Sequence, residues 1–128
     1  MFMSDTKPFE GKTVLVVEDE ESQLNLMQKF FTREGFKVIT CLSAAEAMAV
    51  PWDKVDLLFS DIDMPGTNGI ALAQQFKKDR GAPIVLITGS REDFIWEGNR
   101  LDVADGFLTK PLMLQELRYM ISKVLTSV

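Results

Sequence analysis

The sequence predicts an α/β protein built on a single doubly wound parallel sheet with helices on both faces. Two observations carry this. Five short runs rich in Val, Ile, Leu and Phe lack polar alternation, which is the pattern of strands buried on both faces. Between them lie segments with helical spacing, and strands that alternate with helices form a parallel sheet through right-handed crossovers. At 128 residues the chain holds one such domain and not two. Residues 1–11 read as an N-terminal extension and 12–128 as the domain.

The first run is Val14–Val17. Ser22–Glu34 follows as a helix, with Leu24, Met27, Phe30 and Phe31 stepping by three or four and Gly35 as a stop signal. Val38–Ile39 is the second strand. Ser43 and Glu46 have the spacing of a capping box, opening a short Ala-rich helix that stops before Pro51. Leu57–Phe59 is the third strand, and Ile70–Lys78 is a helix carrying Leu72, Ala73 and Phe76, ended by Gly81 and Pro83. Ile84–Ile87 and Phe107–Leu108 are the last two strands. Gly98 and Asn99 interrupt Arg91–Val103, so a helix there is short or frayed. The final helix presents Leu114, Leu117, Ile121, Val124, Leu125 and Val128 on one face.

In an open parallel sheet, ligands bind beyond the carboxyl ends of the strands. Glu18 and Asp19 follow the first strand, and Ser60, Asp61 and Asp63 follow the third. Thr88, Gly89 and Ser90 end the fourth, and Lys110 with Pro111 ends the fifth. Carboxylates crowded together repel one another, and a hard divalent cation such as Mg²⁺ relieves that repulsion. A carboxylate beside such a cation and a lysine can accept a phosphoryl group as an aspartyl phosphate. Asp61 is the candidate nucleophile, because it ends the central apolar strand between the acidic pair and the lysine. Lys110 would spread the charge of the transferring group, the Thr88 hydroxyl could bond a phosphoryl oxygen, and Gly89 has no side chain to obstruct it.

Taken together, Val14–Asp19 (VLVVED), Leu57–Pro65 (LLFSDIDMP) with Gly69, Ile84–Gly89 (IVLITG) and Gly106–Pro111 (GFLTKP) resemble the receiver domain of two-component response regulators, in order and spacing, over about residues 12–126. The resemblance implies a flavodoxin-like strand order, 2-1-3-4-5. It implies that Asp61 is the phosphoacceptor and that Glu18 and Asp19 are the acidic pair, with Asp19 the direct Mg²⁺ ligand. Asp63 matches the position whose backbone carbonyl binds the metal. Thr88 and Lys110 match the pair that holds the phosphoryl group, Lys110-Pro111 the family's cis peptide bond, and Phe107 the switch aromatic that turns inward when Thr88 moves. The implied partners are a histidine kinase or histidine phosphotransfer protein, a downstream output protein or domain, and a second copy of the chain through the fourth and fifth elements. Phe107 stands where Tyr is frequent, and Asp63 adds a carboxylate at a variable position. With Ser90, Asp63 is expected to adjust the lifetime of the phosphorylated state.

Plainer readings stand beside these. Glu20 and Glu21 complement a helix dipole. Thr88 alone is an ordinary strand residue, Lys110 alone a solvated surface charge, and Pro65 with Gly66 and Gly69 a turn. Cys41 reads as a small buried apolar residue, Trp52 as core packing or a loop cover, and Trp96 as either interface or core. Met27, Met48, Met113 and Met120 read as core fillers.

Composition narrows the function. The net charge of −5 disfavours a direct nucleic-acid grip, which needs clustered Lys and Arg. The chain has no histidine, which excludes His-dependent triads and His-ligated metals and requires the donor histidine to come from another protein. One cysteine allows no intrachain disulfide. No signal peptide and no apolar run of membrane-spanning length is visible, so the expectation is a soluble cytoplasmic protein without membrane insertion. The expected activity is a phosphoacceptor switch with self-catalysed uptake and slow autodephosphorylation rather than a turnover enzyme. Two alternatives stay open: an aspartate-nucleophile phosphohydrolase of the haloacid dehalogenase-like type, suggested by Asp61-Ile62-Asp63, and an unphosphorylated interaction module of the same fold.

Overall fold

The computed structural model describes residues 9–64, 69–89 and 103–126. In chain order the elements are β1 (Thr13–Val17), α1 (Glu21–Arg33), β2 (Lys37–Cys41), α2 (Ala44–Met48), β3 (Leu57–Asp61), α3 (Gly69–Asp79), β4 (Ile84–Thr88), β5 (Gly106–Thr109) and α4 (Leu114–Thr126). The five strands form one sheet in the order β2-β1-β3-β4-β5, and every pairing is parallel. The doubly wound architecture and its strand order are as expected. Each of the five runs lies within its strand, which extends one to three residues further to complete the ladder.

Side chains on a strand alternate between faces, so each apolar run feeds two cores. Val14, Val16, Leu57, Phe59, Val85 and Ile87 pack on one face beneath α1 and α4. Leu15, Val17, Leu58, Ile84 and Leu86 pack on the other beneath α2 and α3. Phe31 of α1 sits at the centre of an aromatic group, with edge-on contacts to Phe30, Phe36 and Phe59 at centroid distances of 5.1, 5.2 and 5.0 Å. Phe9, which precedes the first strand, is buried and stacks on Phe36. Such aromatic pairs add about 0.5–1.5 kcal/mol each beyond their area burial.

Local signals act as their chemistry requires. Helix α1 ends at Gly35, which takes a φ of +106°, a region that costs a glycine little and other residues more. At α2 the Ser43 hydroxyl accepts from the Glu46 amide at 3.1 Å. The Glu46 carboxylate reaches back to the amide of Leu42 at 2.9 Å, one residue before its usual capping-box target. Trp52 covers α3, donating its indole N–H to the Ala47 carbonyl at 2.9 Å and meeting Phe76 edge-on.

Three expectations are corrected. β2 is an edge strand and only partly buried, because helices flank it without a neighbouring strand on its outer side. Met27 is buried and Met120 partly buried, but Met48 and Met113 are exposed: Met48 is the last residue of α2 and Met113 precedes the first residue of α4, at the margin of the packed face. Leu114 is exposed for the same reason, while Leu117, Ile121 and Val124 carry the buried face of α4. Val128, Trp96 and all of Arg91–Val103 except Val103 lie outside the described residues.

Two acidic residues that the sequence reading passed over close the amino ends of strands. Asp56 accepts from the Thr13 amide through Oδ2 and donates its own amide to the Thr13 carbonyl, both at 2.8 Å. Asp105 makes the same reciprocal pair with Ile84, again at 2.8 Å. Each immediately precedes its strand, so an Asp at the start of an apolar run was the available signal.

Cys41 is buried at the end of β2, where burial first and the Glu46 charge second push its thiol up to about 11. The thiolate is the reactive form. We therefore expect Cys41 to resist iodoacetamide in the native chain at about pH 8 and to be alkylated at least about tenfold faster in urea, followed by intact mass.

Candidate functional site

Parallel strands place all their carboxyl ends on one edge of the sheet, and the register fixes how far each reaches. Val17 lies beside Ser60, Asp61 beside Ile87, and Thr88 beside Thr109. Glu18, Asp61, Thr88 and Lys110 are thereby brought together, as the sequence predicted. The ladder continues into the loops that bear them. The Glu18 amide donates to Cys41 at 3.0 Å, Ile62 to Ile87 at 2.8 Å, and Lys110 to Thr88 at 2.9 Å. Lys110-Pro111 is cis, as the resemblance implied.

Asp61 is 2% exposed and both its carboxylate oxygens are held. Oδ2 accepts from Lys110 Nζ at 2.9 Å, and Oδ1 accepts from the Asp63 amide at 2.9 Å. Lys110 Nζ also pairs with Glu18 Oε1 at 3.2 Å, while Glu18 Oε2 accepts from the Glu20 amide at 3.1 Å. One ammonium therefore bridges two buried carboxylates. Burial is the largest effect on Glu18 and raises its carboxyl above the ordinary range; the Asp61 charge adds to this, and the Glu20 amide and Lys110 only partly oppose it. For Lys110, burial pulls downward, but the hydrogen bond that it donates to Asp61 and the charges of Asp61 and Glu18 outweigh it, so the ammonium is held more firmly than usual.

Carboxylate oxygens of Glu18, Asp19 and Asp61 all lie within 4.8 Å of one another. An all-oxygen, anionic set of this kind, with Asp19 exposed on its outer side, fits a hard divalent cation such as Mg²⁺. The Asp63 carboxylate stands outside this cluster. Its Oδ2 accepts from the Thr88 hydroxyl at 3.0 Å and from the Gly89 amide at 3.1 Å. Phe107 is half-buried on β5 against the α2–α3 side of the core. Ser90, Pro65 and Gly66 lie outside the described residues.

Gly69 carries a role that sequence reasoning gave only to a turn. Its amide donates to the Ile62 carbonyl at 3.2 Å, and a Cβ at this position would collide with the backbone of Asp61 and Ile62. The start of α3 is thus pressed against the loop that follows the site. The signal was a Gly at the first position of an otherwise good helical pattern, where a glycine needs a packing reason.

Two outcomes follow. Gly69→Ala should lower stability by about 1–3 kcal/mol in urea melts, because the backbone it meets cannot yield as a flexible side chain would. Glu18 destabilises the metal-free fold when charged, because its folded carboxyl titrates above the ordinary 4.5. Glu18→Gln should therefore raise the urea midpoint in EDTA at about pH 8. That gain should shrink as pH falls through the raised value and vanish below 4.5, where both folded and unfolded wild-type chains carry the proton.

Known proteins resemble this chain in sequence and in fold. The model of the response regulator receiver domain family matches residues 14–122. The chain is 36% identical over 106 residues to the TorCAD operon transcriptional regulatory protein TorR of Escherichia coli (strain K12), covering 81% of this chain and 46% of TorR. It is 33% identical over 104 residues to the transcriptional regulatory protein YrkP of Bacillus subtilis (strain 168), covering 81% and 45%. The chain thus spans about half the length of these curated relatives. Among solved structures, the response regulator TrrA of Thermotoga maritima, in complex with Mg²⁺ and BeF, superposes with a TM-score of 0.79 at 28% identity, covering 88% of this chain and 98% of that one. A receiver domain from Clostridium thermocellum gives a TM-score of 0.80 at 22% identity over 89% and 94% of the two chains, a likeness of fold. These matches do not support the haloacid dehalogenase-like alternative. The chain belongs to the response regulator receiver domain family, the phosphoacceptor signalling domain of two-component systems.

Proposed function

We propose that Asp61 is the residue that accepts the phosphoryl group, with Thr88 and Lys110 holding it and with Glu18, Asp19, Asp61 and the backbone carbonyl of Asp63 binding Mg²⁺. The observation that carries this is the bridging of Asp61 and Glu18 by Lys110 Nζ, at 2.9 and 3.2 Å, beside the Glu18–Asp19–Asp61 carboxylate cluster. Mg²⁺, when bound, would neutralise charge that builds on the phosphoryl oxygens.

The chain's own residues supply the remainder. One oxygen of the Asp61 carboxylate attacks phosphorus of a donor phosphohistidine. The P–N bond breaks, its electron pair stays on the imidazole nitrogen, and an acyl phosphate forms on Asp61. The Asp63 amide, bonded to Asp61 Oδ1, and Lys110, bonded to Oδ2, fix the carboxylate before the attack. The Lys110 ammonium, held charged by its acidic neighbours, then offsets the charge gained at Asp61. The 128 residues contain no histidine, so the donor imidazole lies outside them. The donor is a histidine kinase or histidine phosphotransfer protein, and the chain acts as a switch with slow self-dephosphorylation rather than as a turnover enzyme. The phosphoryl group shifts a two-state equilibrium through Thr88 and Phe107 toward an output partner or a second copy of the chain. A cytoplasmic location fits the buried free Cys41 and the finding that no helix among the described residues is long and apolar enough to cross a membrane.

Incubation with acetyl phosphate and Mg²⁺ should add one phosphoryl group, seen by intact mass. EDTA and Asp61→Asn should each abolish it, and Lys110→Ala should slow it by about 10²–10³-fold. Labelling of Asp61→Asn at the wild-type level would refute the assignment.

A further inference from the structure

The Asp63 carboxylate lies at this edge of the sheet, among the described residues, and the metal and phosphoacceptor roles leave it unused. It is exposed, yet it is fixed by two hydrogen bonds, from the Thr88 hydroxyl at 3.0 Å and the Gly89 amide at 3.1 Å. Its main chain is fixed as well, because the Asp63 amide donates to Asp61 Oδ1 at 2.9 Å. Asp63 therefore joins the end of β3 to the end of β4 across the face where a group attached to Asp61 would project. The two donors that it occupies are those with which β4 would meet an anionic oxygen carried by Asp61.

A carboxylate oxygen and a phosphoryl oxygen are the same kind of acceptor, since both are anionic and both form charge-assisted hydrogen bonds. They cannot use one hydroxyl hydrogen and one amide hydrogen at the same time. We propose that Asp63 is an internal placeholder for the phosphoryl group, occupying Thr88 and Gly89 in the unphosphorylated chain and having to be displaced for the phosphorylated state to form. This rests on Asp61 being the phosphoacceptor. Displacement forfeits two charge-assisted bonds and leaves a negative charge close to the new phosphoryl charge, so both effects oppose phosphorylation. Because Asp63 is exposed, the released carboxylate is taken up by water, and the opposition is a threshold rather than a block. Asp63 is in this sense a positioning residue: it acts by holding Thr88 and Gly89.

The probe is beryllofluoride, a non-transferable phosphoryl analogue, titrated at saturating Mg²⁺ with ¹⁹F NMR as the readout. The chains are wild type, Asp63→Ala, Asp63→Asn and, as the blank, Asp61→Asn. Asp63→Ala should bind about tenfold more tightly than wild type. Asp63→Asn keeps a neutral acceptor on the same donors, so its gain should be clearly smaller. The Gly89 amide resonance should move upfield in free Asp63→Ala and return downfield on binding, a change that loss of charge alone would not produce. Unchanged or weaker binding by Asp63→Ala would overturn the placeholder while leaving the site intact. Equal gains from the Ala and Asn variants would also overturn it, by showing that charge and not donor occupancy matters. Wild type that does not bind, or Asp61→Asn that binds as well as wild type, would instead overturn the site assignment and the placeholder with it.

Discussion

One ammonium between two buried carboxylates is the contact on which this edge of the molecule depends. Glu18 and Asp61 are almost wholly removed from water, and Asp19 adds a third carboxylate within 4.8 Å. Taking such charges out of water costs several kcal/mol per ion unless they are paired and hydrogen-bonded. Lys110 pairs with both, and the Glu20 and Asp63 amides supply the other bonds. The compensation is incomplete, because three carboxylates face one ammonium. The raised Glu18 carboxyl is the local expression of that imbalance, and the excess negative charge is what makes the cluster receptive to a divalent cation.

Everything beneath this edge serves to hold it. Two cores, one on each face of the sheet, fix five parallel strands whose ends must agree in height for the side chains to meet. The register achieves this with no spare residue: Asp61 ends β3 beside Ile87, and Lys110 leaves β5 one residue after Thr109 has paired with Thr88. A slip of one position would send Asp61 to the opposite face and Phe59 with it, so the apolar alternation that fills the cores also sets the position of the chemistry. At the other edge, Asp56 and Asp105 close the starts of β1 and β4, which keeps the strands from fraying away from the functional end.

Just past β3, a few residues carry several contacts of the site. Gly69 allows α3 to begin against the Asp61 backbone, while Asp63 reaches across to β4. The Asp61 carboxylate, the helix start and the two β4 donors are thus linked through a few residues. Hydrogen bonds through Asp63 thus link Asp61 to Thr88 without any long-range path, the kind of arrangement that the proposed two-state switch needs.

The fold class and the candidates for the site could be read in the sequence. Short apolar runs without polar alternation mark strands covered on both faces, as β1, β3 and β4 proved to be while β2 and β5 took the edges, and their alternation with helical spacing leaves few topologies. Acidic residues, a Thr and a Lys at the ends of four such runs then fall on one edge by necessity, so Glu18, Asp61, Thr88 and Lys110 were legible before any coordinates. Tertiary structure alone decided what depends on distances between distant segments. That Lys110 bridges two carboxylates rather than one, that Asp63 turns to Thr88 and Gly89 instead of joining Glu18, Asp19 and Asp61, and that Gly69 touches the Asp61 backbone are matters of a few ångströms. The exposure of Met48, Met113 and Leu114 belongs to the same class, because helical spacing marks a face but does not say where the sheet beneath it ends.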